Sequence, residues 1–425
     1  IERSRKGEKN IFWPKPIKWF AKSSGTTNAK SKFIPVSTDS LEDCHYAAGK
    51  DLLCMYLNNN ENSTLFDGKN LRLGGSSELY EQNGTVFGDL SAILIDNMPF
   101  WAEFSSTPSN KVSLMSDWEY KMQAIVNETM NENVTSLAGV PSWMLVLLNS
   151  VLETSGKKTI LDVWPNLEVY FHGGVSFLPY VDQFKSIIPS TSVKYYEIYN
   201  ASEGFFAIQD RNQSDELLLM LDYGIFYEFI PMKTYGSAAE KIIPLSEVET
   251  GENYAIVITT NAGLWRYKIG DTVTFTSTNP YRIKVTGRTK HFINVFGEEL
   301  IIENTDKALK IVTQKTNSEI IEYSVAPIFM EGNSKGAHEW MIEFKTPPKD
   351  LTYFGELLDN SLKSLNSDYE AKRYNSITLN KPKIHTAQPG LFYKWMKRNN
   401  KLGGQHKVPR LSNSRQFLEA LLEIN

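Results

Sequence analysis

The chain reads as an α/β domain with an antiparallel sheet or barrel attached, followed by a smaller α+β domain. Three observations predict this. Helical periods alternate with short apolar strands as far as Phe171. From Lys194 to Thr286 aromatic-rich strands then succeed one another with no helical period between them. After Gly287-Arg288-Thr289-Lys290 the texture changes again, to shorter strands alternating with helices. The expected division is residues 1–288 and 289–425.

A chain of 425 residues, 41% hydrophobic and 22% charged, is long enough to bury two or three cores and too apolar to be disordered. Its formal net charge of -4 leaves no basic footprint, which argues against a nucleic-acid partner. The longest apolar run, Trp143 to Leu148, is far short of the roughly 20 residues that span a bilayer. No membrane partner is expected. Six scattered histidines, without metal-ligand spacing, argue against zinc. Cys44 and Cys54 are too far apart on one expected helix to bond and read as two buried thiols. No secretory signal opens the chain, so the sequons at Asn62, Asn83, Asn133 and Asn200 read as chance matches in a cytoplasmic protein.

In chain order, the segment to Trp19 is charged, then proline-rich, and reads as an extended lead-in. Ser40 with Asp43 resembles a capping box, and Leu41, Cys44, Ala48, Leu52 and Met55 recur at helical spacing. Strand, polar loop and helix are thus expected in succession. Helices are expected near 89–97, 117–131 and 142–153, the last entered at Pro141 and closed by Gly156. Strands follow at 166–171, 194–199, 205–209, 217–221, 225–230, 254–260, 264–269, 273–276 and 281–286. In the last part, strands at 292–295, 320–329 and 340–344 alternate with helices at 303–316, 351–365 and 389–399.

Five stretches carry chemistry. Ser23-Ser24-Gly25-Thr26-Thr27, just ahead of Lys30 and Lys32, has the composition of a phosphate cradle: glycine lets N–H groups converge on an anion, hydroxyls add donors and lysines add charge. An ordinary polar turn has that composition too. Gly173-Gly174 ends a strand where a backbone or a flat ligand can approach, or forms a tight turn. Glu203, in a short polar turn between aromatic strands, is the best metal-ligand candidate, against a solvated turn glutamate. Asp271, after Gly270, is equally at home in a hairpin turn. The basic loop Lys401 to Arg410 is a solvated tail or carries Lys407 to a phosphate.

Taken in order, these motifs resemble those of adenylate-forming enzymes: Ser23-Ser24-Gly25-Thr26-Thr27 the phosphate loop, His172-Gly173-Gly174 the adenine loop, Tyr199-Asn200-Ala201-Ser202-Glu203 the motif ending in a metal-binding glutamate, Tyr267-Lys268-Ile269-Gly270-Asp271 the ribose motif, and Gly287-Arg288-Thr289-Lys290 the hinge. Within that superfamily the chain is most similar to the auxin-responsive acyl-acid amido synthetases, the Gretchen Hagen family, in their bacterial branch. The closing Gln405-His406-Lys407-Val408-Pro409-Arg410 resembles a plant Gln-Tyr-Lys-Thr-Pro-Arg segment. The resemblance implies a large N-terminal domain with sheets or a barrel flanked by helices, and a small mobile C-terminal lid. It implies a ligase using ATP and Mg²⁺ to convert a carboxylic acid to an acyl adenylate and then to an amide with an amine, an amino acid by the same resemblance.

The residues that it assigns are Lys407 and Glu203 to catalysis, with Glu203 on Mg²⁺, and the 23–27 loop to the phosphates. Gly173, Gly174, Val175, Tyr199, Asn200, Ala201, Ser202 and Asp271 would hold adenine and ribose, Arg288, Thr289 and Lys290 the hinge, and Trp143 and Phe177 the acyl pocket. An acyl-CoA ligase and a catalytically silent nucleotide-binding regulator are the alternatives. The chain departs from the family at Lys268, which keeps an arginine's charge but not its fork. The family's first helices are also expected ahead of Ile1.

Overall fold

The structure, a computed structural model, describes residues 1–11, 15–23, 32–74, 79–174, 177–289, 292–293, 295, 298, 300–329, 336–366, 369–370, 373, 379–399, 401–402 and 407–425. Its strands up to Arg288 are β1 Trp19–Ser23, β2 Lys32–Val36, β3 Lys69–Leu73, β4 Tyr80–Gln82, β5 Thr85–Gly88, β6 Ser106–Thr107, β7 Val134–Gly139, β8 Val169–Gly173, β9 Lys194–Ala201, β10 Gly204–Ile208, β11 Leu217–Leu219, β12 Ile225–Pro231, β13 Ile243–Pro244, β14 Asn253–Thr260, β15 Tyr267–Thr278 and β16 Tyr281–Arg288. Twelve of them form one sheet, in the order β13-β12-β14-β15-β16-β11-β10-β9-β8-β7-β3-β6. The segments β6, β3, β7, β8 and β9 pair in parallel, whereas every pair from β9 to β13 is antiparallel. Of the two expected alternatives, sheet or barrel, the antiparallel strands thus form a sheet, hydrogen-bonded to the α/β part.

Local sequence accounts for these elements. All five residues of β8, Val169-Tyr170-Phe171-His172-Gly173, are buried, as a strand between parallel neighbours requires. The helix Pro141–Ser155 has proline in its first turn and stops at Gly156, whose φ of 66° suits a residue without Cβ. One face of the sheet packs Phe171, Tyr196 and Phe206 against Tyr56 of the helix Ala47–Asn59. The other packs Tyr170 and Phe184 with Met144, Leu148 and Trp164. Trp164 is 1% exposed and donates its indole N–H to the Thr129 carbonyl at 3.1 Å, so burying the ring strands no donor.

Three local expectations are corrected. β1 and β2 pair antiparallel, with Ser23 opposite Lys32, so a second strand stands between the expected loop and the next helix. The next helical segment is capped by Ser37, which exchanges hydrogen bonds with Ser40, three residues earlier than the expected cap. Cys44 is buried and its sulfur accepts from the Phe205 amide at 3.2 Å, but Cys54 is exposed, on the side of its helix away from Leu52 and Tyr56.

Beyond Arg288 the described strands belong to other sheets: β17 Phe292–Ile293 with β18 Leu300–Ile301, and β19 Glu319–Ile328 with β20 Ala337–Thr346 and β21 Lys383–Thr386. The helices Ile302–Thr316 and Leu351–Leu365 supply Leu309, Phe354 and Leu358 to a core built on Tyr323 and Trp340. Among the described residues, no helix is long and apolar enough to cross a membrane.

Candidate active site

Parallel strands end on the same side, and the carboxyl ends of β3, β7 and β8 open on a cleft of about 1280 Å³. The C-terminal part closes its other wall with Lys407 to Arg410. Gly173, Gly174, Glu203, Asp271 and Arg288 all line this one cleft.

Glu203 sits in the two-residue turn between β9 and β10, where Ala201 pairs with Gly204. The turn is not the solvated tip that a hairpin usually presents: Ser202 is buried and Glu203 half-buried. Burial, and next the charge of Asp271, push the Glu203 carboxyl up, while Arg288 and Lys32 pull it down. Lys32 also donates to the Tyr267 hydroxyl at 3.2 Å.

Asp271 is not in a hairpin turn. It lies inside β15, paired in register with Arg288 of β16, because residues 267–269 of one expected strand and the whole of the next, 273–276, belong to a single run, Tyr267–Thr278, while 264–266 lie outside it. Arg288 Nε stands 2.9 Å from one carboxylate oxygen and the Tyr199 hydroxyl donates to the other at 2.9 Å. The next residue, Thr289, donates its amide N–H to the Gly270 carbonyl at 2.7 Å, which ties the expected hinge to the same strand. Lys268 points elsewhere and pairs with Glu240 at 2.7 Å, so the missing arginine fork does not bear on the cleft.

At the end of β8 a Cβ on Gly173 would stand 2.4 Å from the Ile198 carbonyl oxygen, and Gly174 has φ 82°. Both positions therefore need glycine. Lys407 reaches this point, its Nζ 3.8 Å from where a Gly174 Cβ would stand. Its surface exposure is that of an outer residue, yet the walls of the cleft crowd the amine and push it down to about 8, against the pull of Asp271. His172 is buried, held neutral by burial with a pKa pushed down to about 3, and its Nδ1 has no hydrogen-bond partner among the described residues. It stacks on Phe177 at 4.1 Å. Phe177 and Trp143 both line the cleft, and Trp143 meets Trp118 edge-on at 4.7 Å.

The structure thus gathers Gly173, Gly174, Tyr199, Asn200, Ala201, Ser202, Glu203, Asp271, Arg288, Lys407, Trp143 and Phe177 around one cavity. Ser24 to Thr27, Val175 and Lys290 lie outside the described residues, as does the side chain of Ser23, whose backbone ends β1. Two cleft residues gave no sequence signal. Burial pushes the Glu197 carboxyl up to about 7, and the Tyr180 hydroxyl bonds Arg410 at 2.9 Å. Neither belongs to a recognisable spacing.

Family models for the GH3 family N-terminal domain, central domain and C-terminal domain match residues 1–193, 218–288 and 303–416, in that order. The chain belongs to the GH3 family. Among the relatives of this GH3 chain, the indole-3-acetic acid-amido synthetase GH3.4 of Arabidopsis thaliana is 25% identical over 325 residues, covering 68% of this chain and 50% of the relative. The 4-substituted benzoates-glutamate ligase GH3.12 of the same plant is 24% identical, covering 72% and 58%. The chain spans about half the length of the curated relatives it matches. Its fold is that of adenylate-forming enzymes. The solved GH3.15 acyl acid amido synthetase superposes with a TM-score of 0.81 at 16% identity, over 100% of this chain and 84% of the other. A 2-hydroxyisobutyryl-CoA ligase superposes at 0.55 and 14% identity, over 95% and 76%.

Proposed function

We propose that this GH3 chain is an ATP-dependent acyl-acid amido synthetase. A carboxylate attacks the α-phosphorus of ATP and expels pyrophosphate; an amine then attacks the acyl adenylate and expels AMP. The observation that carries this reading is the entry of Lys407 from the C-terminal part to Gly174, in the cleft that holds Glu203 and the Asp271–Arg288–Tyr199 cluster.

Each role follows from the local chemistry. Gly173 and Gly174 clear a flat approach for adenine, and the unpartnered His172 Nδ1 is a buried polar atom of the kind that a bound group satisfies. Asp271 offers carboxylate acceptors to ribose hydroxyls. The Lys407 ammonium faces the charge that grows as pyrophosphate leaves, and so stabilises the transition state more than bound ATP. Residues 289–425 act as the lid that carries it. Trp143 and Phe177 supply apolar wall for the acyl group.

Mg²⁺ fits at Glu203, because a cation there offsets the burial and the repulsion from Asp271 that raise this carboxyl. When bound it would neutralise charge on the phosphates. One carboxylate and the nucleotide's own oxygens are the donor set that this ion favours.

The test is a screen of acids against amino acids and other amines with the full chain, ATP and Mg²⁺, scoring acid-dependent pyrophosphate exchange and amide product. Amide with one or more pairs is expected. Exchange that yields thioester with CoA and no amide would make the protein a CoA ligase, and absence of exchange with every acid would leave a silent nucleotide binder.

A further inference from the structure

Arg410 and Tyr180 meet across the two parts of the molecule, both almost fully buried, at 6% and 3% exposure. The guanidinium is already neutralised by its own side. Arg410 Nε lies 3.0 Å from Glu322, Nη1 lies 3.3 Å from both oxygens of Asp306, and the Tyr323 ring stacks at 5.1 Å. The segment that carries it is tied down as well: the Val325 amide donates to the Arg410 carbonyl at 2.8 Å and the Ser324 hydroxyl to the Pro409 carbonyl at 2.7 Å. What remains is Nη2, which donates to the Tyr180 hydroxyl at 2.9 Å. Tyr180 belongs to the short turn Leu178–Tyr180 that follows the Gly173-Gly174 end of β8.

We propose that Tyr180 and Arg410 form a latch that holds the C-terminal part in the orientation in which Lys407 enters the cleft. The proposal rests on the amido synthetase reading for its chemistry, not for its geometry. Lys407 is three residues before Arg410, and Gly174 six before Tyr180, so the lysine's approach to Gly174 and the arginine's bond to Tyr180 are two ends of one contact. Because Asp306 and Glu322 travel with Arg410, turning the C-terminal part away leaves no buried unpaired charge. It breaks the Arg410–Tyr180 bond, the 3.4 Å bond that the same Tyr180 hydroxyl donates to Glu322, the 3.1 Å bond from Gln183 to the Ile320 carbonyl and the exposed contacts of Tyr393 and Lys397 with Glu119; of these Tyr180 makes two from a buried position, which favours an orientation without forbidding the other. Interfaces between domains of one chain are commonly loose, so a single well-placed bond shifts the populations measurably. Tyr180 is therefore a positioning residue, acting through Lys407.

Tyr180→Phe is the clean variant, since it removes the hydroxyl's bonds to Arg410 and Glu322 but keeps the ring beside Arg410 and every ion pair. Acid-dependent pyrophosphate exchange should fall in kcat by about tenfold with the KM for ATP within about twofold, and amide formation from a supplied acyl adenylate should stay within about twofold. Combined with Lys407→Ala, it should cost nothing further. A readout independent of activity is the distance between spin labels on Cys54, exposed in the large part, and on a Tyr353→Cys variant, exposed in the C-terminal part. The parent should give one distance, and Tyr180→Phe a second population. Parent-like distances and rates in Tyr180→Phe would overturn the latch, and so would equal losses in both half-reactions with a lowered Tm, the mark of a packing role. If the parent itself shows no acid-dependent exchange, the functional reading fails while the distance measurement still decides the latch.

Discussion

Arg288 holds Asp271 through Nε at 2.9 Å, and the two residues are register partners on adjacent strands, so the last residue of the large sheet is bonded to the carboxylate that lines the cleft. The Tyr199 hydroxyl occupies the other oxygen of the same carboxylate. A nucleotide ribose entering here meets an acceptor already aimed by two donors, and that geometry makes the following predictions.

Asp271→Ala should weaken ATP binding by at least about tenfold, because charge-assisted hydrogen bonds contribute about 1.5 to 3 kcal/mol. Titration calorimetry with ATP would show it. An unchanged affinity would leave Asp271 the structural task of holding Arg288 and Tyr199.

Glu203→Gln should lower acid-dependent pyrophosphate exchange by about a hundredfold or more, since a neutral amide is a poor ligand for a hard cation. Thermal stability should stay level or rise, because the variant removes a half-buried charge that Asp271 repels. A thermal melt beside the exchange assay separates loss of chemistry from loss of fold.

Lys407 titrates in the working range. Its pKa is pushed down to about 8 by the crowding of the cleft, so the ammonium is present below that pH and is lost as pH rises through it. In adenylation, kcat/KM for ATP should fall above about pH 8, since this ratio reports groups of the free enzyme. Lys407→Arg should move that limb upward past the measurable range. A limb that stays in place in the arginine variant would assign the titration to another group.

Trp143→Ala should admit bulkier acids. The ring is 7% exposed and closes part of the cleft wall against Trp118, so removing it enlarges the space while costing about 3 to 5 kcal/mol of stability. A panel of acids of increasing size, scored by kcat/KM, would show the preference move toward larger members.

Some of this was legible along the chain because it is local. Pro141 and Gly156 bracket their helix in sequence as in space, the run Val169 to Phe171 announces a buried strand, and periodicity placed the helix Leu351–Leu365. The order of the motifs was enough to indicate the family, since each motif is a run of neighbours. What only the tertiary structure decided are contacts between residues remote in sequence. Gly270-Asp271 has a turn's composition, yet β14 and β16 on either side carry β15 through it, with a bulge against β14 at this point. Cys54 has the residue type of a core position but looks outward, because its helix turns Leu52 and Tyr56 to the sheet instead. Tyr199 and Asp271 are 72 residues apart, and Tyr180 and Arg410 are 230. Composition and periodicity state which residues want burial or a partner; strand register and the seating of one part on the other choose which partner each one finds.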